Sequence, residues 1–146
     1  MTRTQRLAPV QGVVENAEKR LASSLAGFEK RVADAEAKLH ELTRYRSEYE
    51  QQYAQRVAGG IGVTELRDYQ AFLARLTEAM RQQQSVVHRM RADRDAEKLR
   101  WQDAAKRAKA LDHVVAQWQA DEQRLADRLE QRETDERAQR GVKSEF

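Results

Sequence analysis

The chain has 146 residues, of which 35% are charged and only 6% aromatic, with one proline and no cysteine. That composition excludes a layered globular core, and the missing cysteines exclude disulfides and thiolate metal sites and suit a reducing cytoplasm. The net charge of +3, from 27 basic and 24 acidic residues, is too balanced to favour phosphate binding, and no apolar run forms a signal-peptide core or the roughly 18 residues of a membrane span.

Taken in chain order, residues 1–8 read as a disordered lead-in. From Leu7 the apolar residues step by three and four: Leu7, Val10, Val14, Ala17, Leu21, Leu25, Phe28, Val32, Ala35, Leu39, Leu42, Tyr49 and Tyr53, with Arg46 as the one interruption. This spacing predicts a helix from about 9 to 57, Pro9 being tolerated in a first turn. Gly59-Gly60-Ile61-Gly62 then marks a reversal at 58–63, since glycine weakens a helix interior and readily takes positive φ. Thr64 offers an N-cap for a second helix over about 64–138. Its row runs Tyr69, Leu73, Leu76, Met80, Gln83, Val87, Met90, Arg94, Glu97, Trp101, Ala105, Ala108, Leu111, Val115, Trp118, Glu122, Leu125 and Leu129. Residues 139–146 read as a disordered tail.

Rows sustained this long are coiled-coil seams. Folding the chain back at the glycines pairs residues whose numbers sum to 122, so that Tyr53 meets Tyr69, Val32 meets Met90 and Leu21 meets Trp101. Arg46, Gln83, Arg94, Glu97 and Asp112, the polar seam residues with a partner, each then face an apolar one. The midpoint, Ile61, falls inside the glycine cluster. The expected fold is therefore all-α: a single domain over 1–146, built as a long antiparallel coiled-coil hairpin whose second helix is the longer.

Two features stand out along that hairpin. Phe28 opposite Arg94 and Leu25 opposite Glu97 are consecutive mismatched layers, read either as a soft spot or as long side chains reaching past the seam to water. Residues beyond about 115 lack a partner in the first helix, so Trp118, Leu125 and Leu129 extend the seam as an overhang that frays or binds something.

No catalytic constellation is present, and the reading is not an enzyme. His40, His88 and His113 are scattered, and Glu36 with His40 alone makes a poor metal site. The glycine cluster lacks the Lys-Ser or Lys-Thr that grips phosphate. No cofactor is expected. Between Arg89 and Lys109 stand eight basic and four acidic residues around Trp101, but the interleaved carboxylates read as a solvated outer face rather than a nucleic-acid surface. Tyr45, Tyr49, Tyr53, Tyr69 and Phe72 crowd near the turn, and Phe72, Leu76, Ala79 and Gln83 form a ridge read as partly exposed. These aromatics are either interface anchors or a knob that stiffens the hairpin end.

The segments Leu42-x-x-Tyr45-x-x-Glu48-Tyr49 and Tyr69-Gln70-x-Phe72-Leu73-x-x-Leu76-x-x-Ala79, the glycine loop between them and Trp101 in the basic second half together resemble the flagellar type III export protein FliJ. The likeness covers nearly the whole chain. It implies a non-enzymatic, stalk-like cytoplasmic component at the flagellar base, held at the inner membrane through partners. Those partners would be the flagellar export ATPase, the membrane protein of the export gate, and export chaperones. By position, the resemblance implies gate binding at Phe72, Leu76, Ala79 and Gln83, with Leu42, Tyr45 and Tyr49 nearby. It places ATPase binding at the terminal end, around Leu7, Val14, Trp118, Leu125 and Leu129. The alternative is a homo-oligomeric structural coiled coil whose overhangs pair with copies of themselves.

Overall fold

The computed structural model describes residues 1–144. It contains two helices, α1 (Arg3–Ala58, 56 residues) and α2 (Val63–Ser144, 82 residues). They pack against each other as an antiparallel hairpin with the second helix longer. By internal compactness the chain divides into a loop-end unit, Leu21–Trp101, and a terminal unit made of Met1–Arg20 with α2 from Gln102 onward.

In the loop-end unit the expected rows are the buried ones. Leu25, Val32 and Ala35 of α1 and Leu76 and Val87 of α2 form the core, Gln83 and Glu97 are buried with them, and the remaining seam residues are half-buried. Burying a side chain of this size contributes roughly 1.5–3 kcal/mol, so the seam holds the helices through many small terms. The register agrees with the back-folded pairing. Tyr53 meets Tyr69 at a tilt with ring centroids 5.6 Å apart, and the Gln83 side-chain amide donates to the Ala35 carbonyl, one turn from its layer partner Leu39, at 3.0 Å. Arg46 also lies in the seam, its Nε 3.0 Å from a Glu50 carboxylate oxygen.

The turn is tighter than expected. α1 continues through Ala58, and Gly60, at φ 89°, is the one glycine with positive φ. Its N–H bonds to the Val57 carbonyl at 3.3 Å, one of the bonds that closes a helix on a left-handed residue. Thr64 is not the N-cap. The Leu66 N–H bonds to the Gly62 carbonyl at 2.9 Å, so α2 is under way at Val63 and Thr64 sits in its first turn. Arg56 in the last turn of α1 bonds Glu65 in the first turn of α2. Each charge there complements its helix end, where the backbone dipoles leave partial charge of the opposite sign.

In the terminal unit the expected disorder at both ends is corrected over the described residues. α1 begins ahead of Pro9 because Thr2 and Gln5 form a reciprocal cap. The Gln5 N–H donates to Thr2 Oγ1 at 3.2 Å and the Thr2 N–H to Gln5 Oε1 at 3.0 Å, the S/T-x-x-E/Q capping box. Pro9 therefore lies inside the helix. Its missing N–H leaves the Gln5 carbonyl without a helical partner, at a solvent-facing position. At the other end α2 runs through 139–144, while the last two positions of the expected tail, 145 and 146, lie outside the described residues. Val115 is the one core residue here among those described. Polar contacts join the helices here beside the half-buried seam: Gln11 Nε2 donates to Asp112 at 2.7 Å, and Thr4 Oγ1 to Glu122 at 3.0 Å.

Candidate functional site

Five aromatic rings next to the turn form one continuous cluster. Tyr49 is its hub, 4.5 Å from Phe72, 5.1 Å from Tyr69 and 6.3 Å from Tyr45 between ring centroids. Tyr45 meets Phe72 edge-on at 6.1 Å. Tilted and edge-to-face pairs at these separations contribute beyond the area they bury. Burial raises the Tyr49 phenol pKa above its ordinary value, and Tyr69, Tyr45 and Asp68 push it the same way. The cluster is both knob and surface: Tyr49, Tyr53, Tyr69 and Phe72 are half-buried, whereas Tyr45 is 49% exposed.

The ridge read as partly exposed is only partly so. Leu76 and Gln83 are buried, and the Gln83 amide is used inside the hairpin on the Ala35 carbonyl. Both belong to the seam row, which explains their 4 and 3 spacing. Phe72, Ala79 and Leu42 are half-buried. The surface a partner could touch thus rests on Tyr45, Phe72 and Ala79, with Leu76 and Gln83 behind it. Val86, one heptad beyond Ala79 and also half-buried, belongs to the same face. Its signal was the seven-residue step Phe72, Ala79, Val86.

The mismatched layer at Leu25 keeps its carboxylate inside. Glu97 and Leu25 are both buried, and Arg100, largely exposed, reaches back to Glu97 Oε2 at 3.1 Å. Arg94 is half-buried and pairs with Asp95. Local partners also occupy the basic stretch, where Arg91 bonds Glu36 of α1 at 2.8 Å, and Trp101 is half-buried on the seam. No group of three or more His, Asp or Glu able to hold a metal occurs among the described residues. No helix among them is long and apolar enough to cross a membrane.

In the terminal unit the overhang is shorter than expected. Trp118 is half-buried and not unpaired, because α1 starts early enough for the Arg3 guanidinium to lie 4.7 Å over its ring. Leu7 and Val14 are half-buried in the seam. Leu125 and Leu129 are the true overhang, 59% and 53% exposed, along a shallow groove with Arg128 and Arg132.

The family described as "Flagellar FliJ protein" matches residues 3–145 of the chain. Neither the curated proteins nor the solved structures give a match.

Proposed function

Because the chain belongs to the FliJ family of flagellar export proteins, we propose that it is a non-enzymatic adaptor bridging the export ATPase ring and the membrane export gate, assisting export chaperones. It would act at the cytoplasmic face of the inner membrane, held there by its partners. The observation that carries this reading is the family match over 3–145, joined to two separate apolar surfaces that the hairpin leaves open. The first is the face around Tyr45, Phe72 and Ala79, backed by Leu42, Tyr49, Leu76 and Gln83. It is assigned to the gate, because exposed aromatics on a stiff element lose little conformational freedom on binding. The second, Leu125 and Leu129, is assigned to the ATPase, with Leu7, Val14 and Trp118 holding the helix that presents them.

The test uses the full chain and one ending after Gln123, which keeps Trp118 and Glu122 with their α1 partners but removes Leu125 and Leu129. Each is mixed with purified flagellar export ATPase and run by size-exclusion chromatography. Co-elution lost on truncation supports the assignment; co-elution retained removes the overhang from it. In parallel, Tyr45→Ala should weaken binding to the soluble part of the gate protein without loss of helicity. Sedimentation of the chain alone decides the alternative: a concentration-dependent dimer abolished by the same truncation favours a self-associating coiled coil.

A further inference from the structure

The seam of the loop-end unit has two flanks, and they differ in chemistry. The rows beside a seam repeat every seven residues. On one flank they hold Glu36, Thr43 and Glu50 of α1 and Thr77, Gln84 and Arg91 of α2, and Arg91 closes across to Glu36. Such polar, bridging rows are normal for a two-stranded coiled coil, whose flanks face water. On the other flank α2 presents Phe72, Ala79 and Val86, all half-buried, and α1 contributes the exposed ring of Tyr45. The edge-on contact of Tyr45 with Phe72 puts these rows on the same side. A third apolar row added to the two of the seam is the pattern of a helix built into a bundle, not of a two-stranded coil.

The next rows outward are charged, with opposite signs on the two helices. α1 carries Asp34, Glu41 and Glu48, and α2 carries Arg75, Gln82 and Arg89, all exposed. Of the five charges only Glu48 has an ion pair among the described residues, to Arg44 at a loose 3.9 Å. In the row of Tyr45, Lys38 and Arg31 stand seven and fourteen residues earlier, both exposed, and they offset part of the acidic charge. The apolar row of α2, joined by Tyr45 at its loop end, thus runs between an acidic lip and a basic lip, over about 21 Å from Phe72 to Val86 at 1.5 Å per residue.

We propose that this groove takes one amphipathic α-helix of a partner protein as a third strand. Its apolar stripe would lie on Phe72, Ala79 and Val86, with a basic border against Glu41 and Glu48 and an acidic border against Arg75 and Arg89. The inference deepens the gate assignment and rests on this face being a partner surface; it adds Val86, the helical form of the ligand and its charge order. Turning the helix end for end exchanges its borders and sets like charges against both lips. The charge order therefore selects one direction of binding, as flanking charges set strand orientation in coiled coils.

The probe is a synthetic helical peptide with leucines at three-four spacing, lysines on one border and glutamates on the other. A control of equal composition has the charges mixed between borders. Fluorescence anisotropy with the full chain should show the control binding about tenfold more weakly, and Val86→Glu or the pair Arg75→Glu with Arg89→Glu should weaken the probe by about the same factor. The exposed arginine pair keeps the test valid if Val86→Glu loosens the hairpin, which circular dichroism monitors. Equal binding of both peptides, no binding of either, or indifference to both variants overturns the inference. The soluble part of the gate protein forms a second arm. Gate binding that ignores Val86→Glu and the arginine pair sinks the groove but leaves the adaptor reading. Peptide binding that obeys these rules, with no gate binding, supports the groove and removes the gate.

Discussion

The loop-end and terminal units share one three-four repeat and differ in what it buries. In the loop-end unit the seam closes over Leu25, Val32, Ala35, Leu76 and Val87, and five rings pack together beside the turn. In the terminal unit Val115 stands alone as a core residue among those described. Val10, though on the seam row, is 49% exposed. Side-chain volume accounts for the contrast. The terminal rows include Ala17, Ala105 and Ala108, which remove little area from water, and stabilisation scales with that area. Polar and cation–π contacts from Thr4, Gln11 and Arg3 add to the half-buried seam there. Periodicity states which face turns inward; residue size decides how firmly it is held.

The comparison breaks most directly by trimming one seam leucine in each unit. Leu76→Ala should cost about 2–4 kcal/mol, as for other buried leucines, whereas Leu7→Ala, at a half-buried site, should cost about 1 kcal/mol. Urea denaturation of the full chain measures both, and hydrogen exchange locates the loss. Equal costs would mean that the terminal unit is as tightly packed as the other. Next in size is Glu97→Leu. It replaces a buried carboxylate whose ion pair is to the solvent-exposed Arg100, and should stabilise the loop-end unit by about 1–2 kcal/mol. A loss on this change would show that the carboxylate contributes more than its desolvation costs. Gly60→Ala should cost about 1 kcal/mol, from left-handed backbone alone, because nothing stands within 4 Å of the added Cβ. Gly59→Ala should be neutral or slightly stabilising, since its Cβ would make only ordinary contacts and alanine favours the helix.

The hairpin was legible because its signals are periodic and redundant: two long rows, one glycine cluster, and a midpoint between them. The ends were not, for local reasons. Thr2-x-x-Gln5 is a readable capping box, but Pro9 draws the helix start to itself when that box is overlooked. The early start then moves Arg3 over Trp118 and shortens the overhang to Leu125 and Leu129. Residues 139–144 are mostly polar, which resembles disorder, yet they contain no proline to stop α2, and Gly141 alone does not. Near the turn, Leu76 and Gln83 step by three and four from Phe72 and Ala79, so seam and surface merged into one apparent ridge. Only the seven-residue step separates them. Partner identity lies further still from the residues, because an exposed ring states that contact is favourable and not with whom.

The smallest expected effect is also the most selective between the two units. All four tyrosines, at 45, 49, 53 and 69, belong to the loop-end unit, so alkaline titration addresses it alone through phenols. Burial raises the Tyr49 pKa in the folded chain above its unfolded value, which means that the fold favours the neutral phenol. Its contribution is therefore complete below the unfolded pKa near 10 and is lost as pH rises through the higher folded value. Hydrogen exchange should show the loop-end unit opening more readily above that pH. Tyr49→Phe, which keeps the ring but not the ionisable group, should remove part of this dependence. Ultraviolet absorbance should show a phenol that titrates above the ordinary tyrosine value in the wild type and is missing in the variant. If Tyr49→Phe leaves both the absorbance profile and the alkaline loss unchanged, the hub of the cluster is solvated, and the loop-end unit owes its firmness to the seam alone.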